Sequence, residues 1–480
     1  MKYKRFILFV LLSVGFITGT SVTSAFAAEA KTAKAKPQTE AVVPTKDSDP
    51  NIAITEVNRD GKRFRDQSAR MAQGKVDLLM IGDSITHGWE GKGKDVWQKY
   101  YGNRNAMNFG ISGDRTEHVL WRLAHSPLDK INPKMAVVMI GTNNIGRPER
   151  STPNHTIEGV KKVVAVLKEK FPKMKILLLE VFPRDEQADS DRRVKVNQIN
   201  AGLRKAFASV ENVQLYSIGD LFCDKNGVLR KDLMPDFLHP NAEGYEIWAR
   251  AMEPMIAEVV DKAPSECIPS DKKGGYRETW YKIYNAQNEL LKKGNVEILL
   301  LGDSITNRWD TMGKAQWKKY LEGRKAINLG IGGDGTQNVL WRIDHYDFSK
   351  ATPKKAFLLI GVNNTSPTAK PEDIVLATRL IIKRLQEKFP GIHVYVMKQF
   401  PNRRADKWTP ERTEKVKMLN VLLPYYVRDL KGVTMLDFDA AFRLKDGSVP
   451  AEYMPDGLHL GEPGFEIWGK CLQPYLSTAP

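Results

Sequence analysis

One stretch of this sequence occurs twice. Gly82-Asp83-Ser84-Ile85-Thr86 closes the apolar run Val76–Ile81, and Gly302-Asp303-Ser304-Ile305-Thr306 closes Val296–Leu301, 220 residues later. The offset persists along the chain. Trp89 and Trp309, Gly113 and Gly333, Trp121 and Trp341, Asn143 and Asn363, Asp236 and Asp456, and His239 and His459 are all 220 apart. In between, Phe171 and Phe389 are 218 apart, as are Phe182 and Phe400, and Asn200 with Asn420 restores 220. Two residues are thus missing from the loop after Asn364 and regained before the next helix, a change that loops absorb and cores do not. A period this long describes a duplicated domain, not a solenoid, and 480 residues suit two cores.

The repeat sets the expected organisation. Folded units are expected over residues 52–263 and 276–480, joined by a Pro/Ser/Gly/Lys-rich linker at 264–275. In the first unit, strands are expected near Val76–Ile81, Ala106–Asn108, Ala136–Ile140, Ile176–Val181 and Val213–Tyr216. Helical periodicity falls between them at Glu117–Leu123, Ile157–Phe171 and Val194–Phe207, with a last helix at Ala242–Val260. The second unit repeats this, with later strands at Ala356–Ile360, Val394–Met397 and Val433–Leu436. Apolar strands alternating with helices give an α/β class: a three-layer α/β/α domain with a parallel sheet of about five strands.

The start of the chain reads differently. Lys2, Lys4 and Arg5 precede an apolar run from Phe6 to Val14, and Ala25-Phe26-Ala27 offers small residues at a cleavage point. Residues 1–27 are therefore expected to be a signal peptide of an exported, bacterial periplasmic or extracellular protein, and 28–51 a disordered tether. No other segment is apolar enough to span a membrane. The net charge is +16, three of it from the signal peptide. The basic residues are interspersed with acidic ones, which argues against a nucleic-acid partner and leaves association with anionic glycans or the envelope open. Cys223, Cys267 and Cys471 show no ligand spacing, so no metal site is implied, and a Cys267–Cys471 bridge stays open.

Chemistry concentrates where strands end. Ser84 follows the first strand, Asn108-Phe109-Gly110-Ile111-Ser112-Gly113-Asp114 the second, and Gly141-Thr142-Asn143-Asn144 the third, while Asp236-Phe237-Leu238-His239 precedes the last helix. In a parallel sheet these segments share one edge. Ser84 can act as nucleophile, His239 as base and Asp236 as the group that orients it, three residues away. The Ser84 N–H, the Gly113 N–H and the Asn143 amide are candidate oxyanion donors. The second copy offers Ser304, Asp456, His459, Gly333 and Asn363 in the same order. Asp114 and Asp334 are read as helix caps, and His125 and His345 as structural. His87, His118, His155 and His393, which lack counterparts, are read as surface residues.

These blocks together resemble the GDSL, or SGNH, hydrolase family, through Ser84, Gly113, Asn143 and His239 and again Ser304, Gly333, Asn363 and His459. Val119-Leu120-Trp121-Arg122-Leu123 and Gly141-Thr142-Asn143-Asn144 are similar to the platelet-activating-factor acetylhydrolase-like branch. The resemblance implies a flavodoxin-like fold, no cofactor and no metal, and a Ser-Asp-His esterase with an open site for short acyl groups. Acetylated carbohydrate or another small ester is the expected substrate. A phospholipid or lipid acyl hydrolase is the alternative, as is a glycan- or envelope-binding protein with one silent domain. Copy two departs at Gly457, Leu460 and Val362, which replace Phe237, Pro240 and Thr142.

Overall fold

The computed structural model describes residues 52–146, 151–402 and 408–477; the expected signal peptide and tether lie outside them. The first copy runs α1 (Lys62–Ala72), β1 (Leu78–Gly82), α2 (Ser84–His87), α3 (Lys94–Tyr101), β2 (Ala106–Gly110), α4 (Thr116–His125), β3 (Met135–Met139), α5 (Pro153–Lys170), β4 (Lys175–Leu179), α6 (Asp191–Ala206), β5 (Val213–Tyr216) and α7 (Ala242–Val260). The second copy opens with α8 (Arg277–Lys293), β6 (Ile298–Gly302), α9 (Ser304–Asn307), α10 (Lys314–Tyr320), β7 (Ala326–Gly330) and α11 (Thr336–His345). It closes with β8 (Lys355–Leu359), α12 (Pro371–Lys388), β9 (His393–Met397), α13 (Pro410–Val427), β10 (Val433–Leu436) and α14 (Glu462–Ser477).

Each copy forms a five-stranded sheet with the strands in the order β2-β1-β3-β4-β5 and, equivalently, β7-β6-β8-β9-β10. Every pair is parallel, and Gly82 lies beside Gly110 as Gly302 lies beside Gly330. β1 is buried along its whole length, as a central parallel strand covered on both faces must be. Its residues alternate between two cores. Leu79 and Ile81 pack with α1, α4, α5 and α6, whereas Leu78 and Met80 pack with Trp89, α3 and α7. The two sheets thus match two tandem α/β/α domains, as expected. Helix starts follow local chemistry: the Thr152 hydroxyl accepts from His155 N at α5, with Pro153 in the first turn, and Asn241 accepts from Gly244 N at α7.

Several local expectations need correction. Residues 264–275 are not a loose link. Cys267 is buried in the second copy's core, Thr336 Oγ1 donates to Glu266 O (2.9 Å), and Ser270 N donates to Gln337 O (3.1 Å). The segment is the counterpart of the stretch before α1, where Thr116 Oγ1 donates to Ala53 O (2.9 Å) and Val57 N to Glu117 O (3.3 Å). The three cysteines are free: Cys267 packs with α11 and α12 on one face of the sheet, and α14, which carries Cys471, covers the other.

Asp114 and Asp334 do not cap helices. Each is fully buried against an arginine, Arg122 (2.8 Å) or Arg342 (2.9 Å). The first N–H of α4 and of α11 is instead accepted by the side chain of Asn144 (3.1 Å) or Asn364 (2.9 Å). His118 is buried, not on the surface, and its ring accepts from Arg115 N (3.0 Å) as Asn338 accepts from Gly335 N (3.0 Å). His125 and His345 stack on Trp121 and Trp341, consistent with structural roles.

The copies pack unlike faces together. α7 of the first lies against α12 and α13 of the second, whose counterparts in the first copy are α5 and α6. Arg379, almost fully buried, bridges Glu258 (2.5 Å) and Asp429 (2.5 Å), and Arg428 reaches Asp220 (2.7 Å).

Candidate active site

The site begins at a turn that only glycine allows. A Cβ on Gly82 would lie 2.1 Å from Thr86 Oγ1 and 2.6 Å from Met139 O, so its absence lets α2 fold directly onto the end of β1. Asp83 Oδ1 accepts from Ile85 N (2.9 Å). Burial pushes the Asp83 carboxyl up to about 7 against the pull of that bond, and burial does the same to Asp303. Ser84 opens the helix, so its N–H has no carbonyl one turn back to bond.

Ser84 Oγ lies 2.8 Å from His239 Nε2, and His239 Nδ1 lies 2.7 Å from Asp236 Oδ2. The other oxygen of Asp236 accepts the backbone N–H groups of His239 (2.7 Å) and Leu238 (3.1 Å). Phe237, between them, has φ +54°, a left-handed turn that brings the carboxylate under its own histidine. Partial burial opposes ionisation of Asp236, yet the hydrogen bonds from His239 and Leu238 outweigh it and hold the carboxyl below its usual range.

The second copy repeats the chain. Ser304 Oγ to His459 Nε2 is 2.8 Å, and His459 Nδ1 to Asp456 Oδ2 is 2.6 Å. There Gly457 takes the left-handed position with φ +80°, and the carboxyl of Asp456 is likewise lowered, against burial, by its bonds from His459 and Leu458. This turn is where the sequence departure from Phe237 to Gly457 falls, and glycine removes its strain.

The expected oxyanion residues of each copy lie together. Gly113 and Gly333 have φ +81° and +75°. Asn143 Nδ2 donates one hydrogen to Asp114 O (2.9 Å), and Asn363 Nδ2 does so to Asp334 O (3.0 Å). An amide nitrogen carries two hydrogens, so each asparagine is oriented by one and offers the other. The structure joins Ser84, His239 and Asp236, and Ser304, His459 and Asp456, and places Asn143 and Asn363 against the residues that follow Gly113 and Gly333. Among the described residues no group of three or more His, Cys, Asp or Glu is arranged to hold a metal.

Sequence reasoning did not find the supports of these clusters. Arg184 holds the Thr142 carbonyl (2.9 Å), next to Asn143; in copy two Arg412, from a different element, reaches Val362 O (3.4 Å). Arg59 donates to Ser112 O (2.6 Å), where Lys272 instead donates to Gly333 O. The 220-residue spacing could not show these: Arg184 and Arg412 come from non-equivalent positions, and Arg59 and Lys272 match only at an offset of 213.

The profile of the GDSL-like Lipase/Acylhydrolase family matches residues 80–247 and again residues 300–467. The chain belongs to that family. It is a carboxylic ester hydrolase in which the family domain is present twice. Platelet-activating factor acetylhydrolase IB subunit alpha2 of Rattus norvegicus is 33% identical over 192 residues, 40% of this chain and 80% of that protein. The Homo sapiens counterpart is 32% identical over the same lengths. Axe2, an acetylxylan esterase from Geobacillus stearothermophilus, is 21% identical, with a TM-score of 0.32 over 38% of this chain and 94% of its own.

Proposed function

We propose that the protein is an exported serine esterase that removes acetyl groups from carbohydrate or other small esters, with a working triad in each copy. The observation that carries this reading is the unbroken Ser–His–Asp chain of short hydrogen bonds in both copies. Ser84 Oγ attacks the acyl carbon while His239 Nε2 takes its proton, and Asp236 stabilises the imidazolium that forms. The negative oxygen is received by the N–H groups of Ser84 and Gly113 and by the free hydrogen of Asn143. His239 then protonates the departing alcohol, and water releases acetate by the reverse sequence. Ser304, His459, Asp456, Gly333 and Asn363 act likewise.

Acetyl as the acyl group is supported by the acetylhydrolase relatives. Export is supported by the N-terminal sequence, and among the described residues no helix is long and apolar enough to cross a membrane. The test is initial-rate hydrolysis of an aryl acetate by wild type, Ser84→Ala, Ser304→Ala and the double variant. Partial activity in each single variant and at least a ~10³-fold loss in the double is expected. A double variant as active as wild type overturns the triads, and a preference for long acyl chains overturns acetyl in favour of lipid acyl hydrolysis.

A further inference from the structure

The first copy has a cleft along its edge strand β2. It encloses about 640 Å3, within the ~300–1,000 Å3 range of small-molecule sites. On one side α1 presents Arg63, Asp66, Gln67 and Arg70; His87 and Trp97 face them across the edge of β2. His87 links the cleft to the site described above. His87 closes the helix that Ser84 opens, and its Nδ1 lies 2.9 Å from the hydroxyl of Ser112, next to Gly113. Arg63 Nε donates to Gly110 O (2.7 Å), and its other nitrogens form a two-point pair with Glu90 (2.7 and 3.0 Å).

Copy two keeps the backbone of this region and changes its chemistry. Ile283, Ala286, Leu290, Asn307 and Gly332 stand at the positions of Arg63, Asp66, Arg70, His87 and Ser112. A second difference lies at the buried glutamine. Gln287 Oε1 accepts the Tyr346 hydroxyl (2.5 Å), whereas Gln67, 7% exposed, has no partner for its Oε1 among the described residues. Copy one therefore leaves a buried acceptor unpaired where copy two pairs it.

We propose that this cleft binds the saccharide chain of an acetylated oligosaccharide whose ester is presented to Ser84, and that copy two lacks this site. The inference rests on the carbohydrate reading above. Planar, paired polar side chains and the Trp97 ring suit sugar hydroxyls and ring faces. An acyl chain would instead have to strip water from charged groups without replacing their bonds. The two sites then divide the work, copy one taking chains and copy two taking short esters.

The test uses acetylated xylo-oligosaccharides of one to five units, hydrolysed by the full chain with only one serine retained. With Ser304→Ala, kcat/KM is expected to rise about tenfold from one unit to five. Adding Arg63→Ile and Arg70→Leu, side chains that copy two already carries at these positions, is expected to reduce that rise to less than twofold. With Ser84→Ala no rise is expected. A rise that survives the double substitution, or no rise with Ser304→Ala, overturns the cleft. If the aryl acetate is cleaved but no acetylated saccharide is, the carbohydrate reading itself fails and the cleft proposal with it.

Discussion

In both copies the serine hydroxyl lies 2.8 Å from its histidine, and histidine and aspartate are within 2.7 Å. Their surroundings differ far more. The His239 and Asp236 side chains are 40% and 57% exposed, against 15% and 35% for His459 and Asp456. Over copy two's glycine loop lie Lys272 and Tyr276, the latter from a segment that copy one lacks, because α8 is six residues longer than α1. The Ser–His–Asp hydrogen-bond chain is set by backbone turns that both copies share, whereas the walls are set by side chains that each copy chose separately. Equal chemistry with unequal access is the expectation.

The largest expected effect tests the equality. Asp236→Asn in the Ser304→Ala background, and Asp456→Asn in the Ser84→Ala background, should each lower kcat by ~10³–10⁴-fold, because the imidazole loses its orienting anion. A small loss in one copy would show that its triad is not the reacting group. Next come the buried arginines. Arg342→Met should cost ~3–5 kcal/mol in denaturant unfolding, because among the described residues Asp334 then keeps the neutral Trp280 Nε1 as its side-chain donor (2.6 Å). Arg122→Met should cost less, since Asp114 retains Arg59 at 2.6 Å. Equal costs would remove that distinction between the copies.

Asn143→Ala and Asn363→Ala should each lower kcat of their own site by ~10²–10³-fold with little change in KM, as loss of one oxyanion donor does. The smallest effect concerns pH. Asp83 and Asp303, raised to about 7 by burial, bind a proton in the folded state between about pH 4 and 7 that the unfolded chain has released. They therefore subtract stability as pH rises through that window. Asp83→Asn or Asp303→Asn should gain on the order of 1–3 kcal/mol over wild type at pH 8 relative to pH 5, measured by thermal unfolding at both pH values. No pH-dependent difference would mean that these carboxyls are not held neutral.

The sheet was legible because buried parallel strands leave continuous apolar runs, and α7 because Asn241 caps it where its pattern begins. The ten candidate residues stood out in the sequence because each one recurs in the second copy. What escaped was charged or remote. α1, with Arg63, Arg65 and Arg70 on its surface, has too few apolar residues to announce a helix. Asp114 sits where a cap would, but the Asn144 side chain, 28 residues beyond the helix start, accepts that N–H and frees the aspartate to pair with Arg122. The segment at 264–275 has a linker's composition, and only contacts with α11 and α12 make it part of the second core.

The central claim is that one chain carries two reactive serines. Labelling the folded protein with a fluorophosphonate, which bonds phosphorus to an activated serine oxygen and expels fluoride, followed by intact-mass and peptide mass spectrometry, tests it most directly. The account predicts two adducts per chain, on Ser84 and Ser304, with each lost in its own Ser→Ala variant. Labelling of one serine alone, or of neither, would contradict it.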